Sequence, residues 1–176
     1  MPDHITVFMH EGAMFDFTIP DWVKLNIADC VILFGRIEQK TIEIAWLLNN
    51  DELKRKLKTA RNPATDNFEA MVELVEQKAG QKFEALRVNF DALANARNLI
   101  VHGAWVMVDG NRPWVVWHKF LEDDDSVIGE FFEKPRFEAF IRKAEFLHQM
   151  LCKWHNMMEN ETGKKTSALT SLQEKL

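Results

Sequence analysis

The sequence is 176 residues long, 47% hydrophobic and 28% charged, a balance that fits one well-cored domain and excludes a wholly disordered chain. Seven glycines and five prolines argue against a loop-rich or all-β protein, and a formal net charge of −5 works against bulk, sequence-blind attraction to nucleic acid. Cys30 and Cys152 have no CxxC spacing and read as reduced thiols. The first residues, with Asp3, His4 and Glu11, do not read as a secretory leader. Apolar stretches fall well short of the ~20 residues of a membrane span, so the expectation is a cytoplasmic protein without a membrane partner.

Residues 1–19 read as an N-terminal extension whose segments Ile5–Met9 and Met14–Ile19 fit extended chain or simple packing along the domain. A long first helix starts at Pro20-Asp21-Trp22 and runs to about Asn49. Val23, Ile27, Cys30, Phe34, Ile37, Thr41, Ala45 and Leu48 recur along it every three or four residues. A basic helix is expected over 51–60, closed by Asn62-Pro63. Lys54, Arg55, Lys56, Lys58 and Arg61 make it either a solvated face or a contact for an RNA backbone. Asp66 and Glu69 read as a capping pair opening a helix with Phe68, Met71, Val72 and Val75 on one side and Gly80 at its end.

The next helix is expected over 81–102, ending at Gly103. The pattern then changes. Ala104–Val108 and Trp114–Phe120, rich in Val and Trp, flank Asp109-Gly110 and predict a β-hairpin at about 104–120, with a third short strand near Val127–Phe132. A last helix begins after Pro135 and extends to about Glu159, with Phe137, Phe140, Ala144, Leu147, Leu151 and Met158 on one stripe. Residues 161–176 read as a polar, frayed tail. The fold class is therefore an all-α bundle of about four to five helices over residues 20–160, with an inserted β-hairpin.

Three Arg/His pairs have four or five residues between the partners: Arg97 with His102, Arg112 with His118, and Arg142 with His148. Chance supplies such pairs readily, so context has to choose. Arg112 sits at the hairpin turn among Trp114 and Trp117, and Arg142 faces away from the stripe that holds His148. Arg97 instead falls in the middle of the apolar stripe Phe83, Leu86, Phe90, Leu93 and Ile100. A guanidinium there needs a partner. Glu38 is equally out of place within the stripe of Ile27, Phe34 and Ala45, so a Glu38–Arg97 ion pair is one expectation, either as plain register or as support for a site. Asn98 and His102, four apart, share a helix face, with His102 on an exposed last turn. Arg97 and His102 are about 140° apart on an ideal helix. They converge only if the last turn distorts, the arginine reaches round, or a second subunit completes the site.

The segment Ala96-Arg97-Asn98-Leu99-Ile100-Val101-His102-Gly103, at the end of a late helix, resembles the HEPN superfamily, whose hallmark is Arg, a polar residue, then His after four to six positions. Gly35-Arg36-Ile37-Glu38 resembles the corresponding first long helix. The resemblance implies a homodimer in which Arg and His of both subunits line a shared cleft. It implies either a metal-independent endoribonuclease, in a toxin–antitoxin or phage-defence setting with an antitoxin or other regulatory protein, or an RNA-binding relative. Arg97, His102 and Asn98 would then be catalytic, with Glu38 supporting. No cofactor and no metal is expected. The alternative is a non-catalytic helical interaction or scaffold module in which Arg97 and Glu38 form a structural ion pair. One branch, the toxin partners of small nucleotidyltransferases, carries a Tyr two residues after the His. Here that position is Ala104 and the chain has no Tyr, which excludes regulation by tyrosine modification.

Other constellations carry less. His148, Cys152 and His155 recur at helical spacing but lie within the apolar stripe and read as core groups satisfied by hydrogen bonds. Asp123-Asp124-Asp125 reads as a solvated loop. Trp105, Trp114 and Trp117 read as cover for the core in preference to a stacking surface for bases.

Overall fold

A computed structural model describes residues 15–16, 18–49, 62–118 and 127–173, with side chains described for 18–49, 62–116 and 129–160. Four helices occur among the described residues: α1 (Asp21–Asn49), α2 (Ala64–Ala79), α3 (Glu84–His102) and α4 (Lys134–Gln173). A small antiparallel sheet combines β1 (Phe15–Asp16), β2 (Ala104–Val108), β3 (Arg112–His118) and β4 (Val127–Phe131) in the order β1-β2-β3-β4. The chain divides into two compact units, 1–34 with 92–144 and 35–91 with 145–176.

In the first unit the sheet is built on the expected hairpin. Val108 pairs with Arg112, and Asp109 (φ 52°) and Gly110 (φ 72°) turn the chain in the left-handed region, which matches the right-handed twist of the strands. The ambiguous N-terminal stretch contributes β1, Phe15 pairing with Val108 and Asp16 with Met107. An aromatic cluster joins sheet to helices. Trp105 stacks on Phe137 and meets Phe132 edge-on, both at 5.8 Å, and Trp22 meets Phe137 edge-on at 6.3 Å. Trp105 is half-buried and Trp114 buried, so both cover the core. The Trp117 side chain lies outside the described residues.

The second unit holds the turn between α2 and α3. Gly80 adopts φ 69° and its N–H reaches the Glu76 carbonyl at 2.8 Å, the left-handed helix end that glycine favours. The Glu76 carboxylate, 5% exposed, accepts the Phe83 N–H at 2.6 Å and Lys82 Nζ at 3.0 Å, and it is gripped by the Arg87 guanidinium. Arg87 Nε also bonds Glu69 at 2.8 Å and 2.9 Å. The two helices are thereby clasped across their turn, and Phe68 stacks flat on Phe90 at 3.7 Å behind the clasp.

Most apolar stripes are buried as expected: Val23, Cys30, Phe34, Ile37 and Thr41 on α1; Phe68, Met71, Val72 and Val75 on α2; Phe137, Phe140, Ala144, Leu147, Leu151 and Met158 on α4. Several boundaries differ. Asp66 and Glu69 do not form a capping pair: α2 starts at Ala64 behind Pro63, no side chain caps it, and Glu69 is taken by Arg87. Helix α3 starts at Glu84 instead of 81: its first bonds run from the Leu86 and Arg87 N–H groups to the Phe83 carbonyl, and the Phe83 N–H at its entrance is satisfied by Glu76. Helix α4 begins at Lys134, tolerating Pro135 in a first turn that needs no such N–H, and continues to Gln173 in place of the expected frayed tail. The basic segment with Lys54, Arg55, Lys56, Lys58 and Arg61, the Asp123–Asp125 run and Ile5–Met9 lie outside the described residues.

Candidate functional site

The candidate site lies on the last two turns of α3, in the first unit. Arg97 is half-buried among apolar neighbours. Its guanidinium carbon stands 5.7 Å from the centre of the Phe34 ring, close enough for cation–π attraction, and one terminal nitrogen donates to Asn98 Oδ1 at 3.1 Å. Asn98 is itself half-buried, so the arginine is held by one aromatic face and one amide. The positive charge is retained in an apolar setting where a neutral side chain would have packed more easily. That retention is what needs explaining.

His102 is the final residue of α3 and is exposed. The turn beneath it is pinned. Gly103 N–H returns to the Leu99 carbonyl at 2.9 Å, and the Trp105 indole N–H takes the Ile100 carbonyl at 3.0 Å, so two carbonyls left over at the helix end are satisfied. Gly103 is not left-handed: the glycines with positive φ are Gly80 and Gly110. It is required by close approach, because a Cβ there would collide with Val115 Cγ2 and lie 2.6 Å from the Leu99 carbonyl oxygen.

The structure therefore brings Arg97 and Asn98 together and leaves His102 apart. No hydrogen bond or ion pair joins His102 to Arg97 among the described residues. Glu38 is half-buried on α1 and belongs to the second unit, whereas Arg97 belongs to the first. Phe34 is the contact that sequence reasoning missed. Its place in the α1 stripe is that of any core residue, and nothing in the sequence marks it as a shelf for a guanidinium. Trp105 reads only as packing in the sequence, yet its indole also caps α3.

The arginines of the two competing pairs are engaged elsewhere, and the His118 side chain lies outside the described residues. Arg112 bonds Glu133 at 3.0 Å and lies over Phe131 at 3.9 Å, and Arg142 pairs with Glu138 at 3.9 Å. In the second unit, His148 Nε2 is 3.6 Å from Cys152 Sγ, and His155 lies between Glu43 at 3.8 Å and Glu159 at 3.6 Å. Burial pushes the His148 imidazole down, and the positive charges of Arg36 and Lys40 push the same way. Burial pushes the Glu43 carboxyl up, but hydrogen bonds from Lys40 and Gln39 outweigh it and hold the group below the usual carboxylate range. These are half-buried polar groups with partners. Among the described residues no group of three or more His, Cys, Asp or Glu side chains is placed to share one metal ion.

Comparison with protein-family models, with curated proteins and with solved structures finds no match to this chain. Among the described residues no helix is long and apolar enough to cross a membrane.

Proposed function

We propose that this chain is a HEPN-like, metal-independent endoribonuclease that acts as a cytoplasmic homodimer, in a toxin–antitoxin or phage-defence setting, with Arg97, Asn98 and His102 as its working residues. The observation that carries the reading is the guanidinium of Arg97, kept charged in an apolar stripe, aimed by Asn98 and backed by Phe34. An arginine so held offers a fixed positive charge to the phosphoryl oxygens on which negative charge builds during cleavage. His102, an imidazole on a pinned and exposed helix end, supplies the proton transfers. It removes the proton from a ribose 2′-OH; the 2′-oxygen bonds to phosphorus; the bond from phosphorus to the 5′-oxygen breaks, and that oxygen takes a proton. The products are a 2′,3′-cyclic phosphate and a 5′-hydroxyl. The separation of Arg97 from His102 supports a site completed by a second protomer.

The test is cleavage of single-stranded RNA in EDTA with analysis of the new ends. Cyclic phosphate is expected from the unaltered protein, none from His102→Ala or Arg97→Ala, and none from a substrate lacking the 2′-OH at the scissile position. His102 is exposed and terminal, so its removal leaves the fold intact and the result interpretable. Cleavage that survives His102→Ala sinks the enzyme reading.

The same contacts favour one other reading, a non-catalytic scaffold or RNA-binding module. Phe34 and Asn98 between them account for the arginine structurally, and a Glu38–Arg97 pair would add to that role. RNA bound but never cut, with binding lost on Arg97→Ala, would decide for it.

A further inference from the structure

The second unit carries a thiol that the proposed cleavage does not use. Cys152 is half-exposed on α4, one turn after His148, whose Nε2 lies 3.6 Å from its Sγ. His148, Cys152 and His155 are spaced four and three residues apart and so form one stripe of that helix. Arg36, Lys40 and Glu43 have the same spacing on α1, and the approach of Glu43 to His155 at 3.8 Å sets the two stripes face to face. All six residues belong to the second unit.

The charges along the α1 stripe are unequal. Glu43 is committed to Lys40 and, at 2.9 Å, to Gln39, so that ammonium and that carboxylate largely cancel. Arg36 is exposed and makes no hydrogen bond or ion pair among the described residues. The acids on the α4 stripe stand at its ends: Glu145 is exposed, and Glu159 lies 3.6 Å from His155. Burial, and then the charges of Arg36 and Lys40, hold His148 below its ordinary value, which keeps the imidazole neutral at pH 7 and able to accept a proton. A reagent arriving here meets a thiol, a base in contact with it and an uncompensated positive charge.

We propose that Cys152 is a reversible modification site for anionic low-molecular-weight disulfides, with His148 as the base that carries the thiol proton and Arg36 as the charge that selects an anion. The proton of the Cys152 thiol passes to His148 Nε2, and Sγ bonds to one sulfur of the disulfide as the S–S bond breaks. Cys152 is thereby oxidised to a mixed disulfide. The other sulfur leaves as the reduced thiolate and takes the proton back from His148. Attack by a second small thiol reverses the step. The chain as a whole carries −5, so a preference for an anion must come from the local charges.

The experiment is the rate of mixed-disulfide formation at Cys152 in the folded full chain at pH 7 and low salt, read by mass spectrometry. Oxidised glutathione serves as the anionic disulfide and cystamine as the cationic one. Each rate is divided by that reagent's rate at Cys152 in urea-unfolded protein, which removes the intrinsic reactivity of the reagent. The normalised ratio should favour glutathione about tenfold or more and fall toward unity in ~1 M NaCl, where charges are screened beyond ~3 Å. Arg36→Glu should reverse the preference with circular dichroism unchanged, since Arg36 is exposed and leaves no partner behind. His148→Gln should slow both reagents about tenfold and leave their ratio in place. Equal normalised rates in the unaltered protein overturn the proposal, and that measurement needs no variant. So do a ratio that Arg36→Glu does not move and a folded His148→Gln protein that reacts as fast as the unaltered one.

Discussion

Replacing Gly103 by Ala tests whether the glycine that ends α3 is required by close packing, as the structure has it, or by a backbone conformation that only glycine adopts easily. The added methyl collides with Val115 Cγ2, in a residue with no exposed surface through which to move aside, and it crowds the Leu99 carbonyl oxygen at 2.6 Å and the Val116 oxygen at 3.3 Å. Two of the three obstacles are backbone, so relief requires β3 and the last turn of α3 to separate. Overpacking of this kind costs about 1–3 kcal/mol. A domain of ordinary stability, about 5–15 kcal/mol, survives that loss and still gives a readable transition. Urea unfolding followed by circular dichroism should show a lower midpoint with an unchanged slope. Gly103→Asn should cost at least as much, because a bigger side chain meets the same atoms. If Gly103→Ala lies within about 0.5 kcal/mol of the unaltered protein, or if Asn is tolerated where Ala is not, the packing argument is wrong and the glycine serves a backbone conformation.

Two further outcomes follow from burial and charge. The Arg87 guanidinium, with the Phe83 N–H and Lys82, holds the Glu76 carboxyl down from its ordinary 4.5 to about 2. A depressed folded-state value means that the stabilisation is complete above pH 4.5 and drains away as pH falls toward 2, so acid titration of the unaltered protein should lose stability through that window and Glu76→Gln should flatten the loss. Burial, with a smaller push from the Asp29 charge, drives the Cys30 thiol up to about 12, whereas Cys152 is half-exposed. A disulfide reagent at pH 8 should therefore modify one thiol, Cys152, in the folded protein and both in denaturant, and prompt reaction of Cys30 in the folded state would contradict its burial.

The parts of this fold that are legible in the sequence are those governed by short-range periodicity. The stripes of α1, α2 and α4 follow from spacing alone, and Asp109-Gly110 announces the hairpin because both residues tolerate the left-handed backbone the turn uses. What stays hidden is decided by partners distant in sequence. Glu76 looks like any surface acid on a polar helix, yet it is the buried hub of the α2–α3 clasp, and Glu69 is drawn off by Arg87 eighteen residues on. β1 exists because β2 offers it a ladder, which no local signal in Phe15-Asp16 foretells. The stretch beyond Asn160 reads as a tail from its polarity, but Glu, Lys, Ala, Leu and Gln are good helix formers, and α4 propagates through it. At the site, Arg97 is conspicuous as a charge in an apolar stripe, and Phe34 is not, since an aromatic shelf looks the same as core.

The last turn of α3 constrains how any chemistry there can work. Leu99 and Ile100 have their carbonyls engaged by Gly103 and Trp105, Trp105 is stacked on Phe137, and Gly103 has no room for a side chain. Distorting the last turn to swing His102 toward Arg97, across the ~140° that separates them on an ideal helix, would break the indole–carbonyl bond and lift the strand that follows. Arg97 is no freer, since turning toward His102 would forfeit both Phe34 and Asn98. Neither residue can close the gap cheaply inside one protomer. In the cleavage proposed above, which uses both, Arg97 and His102 would then come from different copies, and a single-turnover assay on a mixture of Arg97→Ala and His102→Ala protein should regain activity that neither variant has alone.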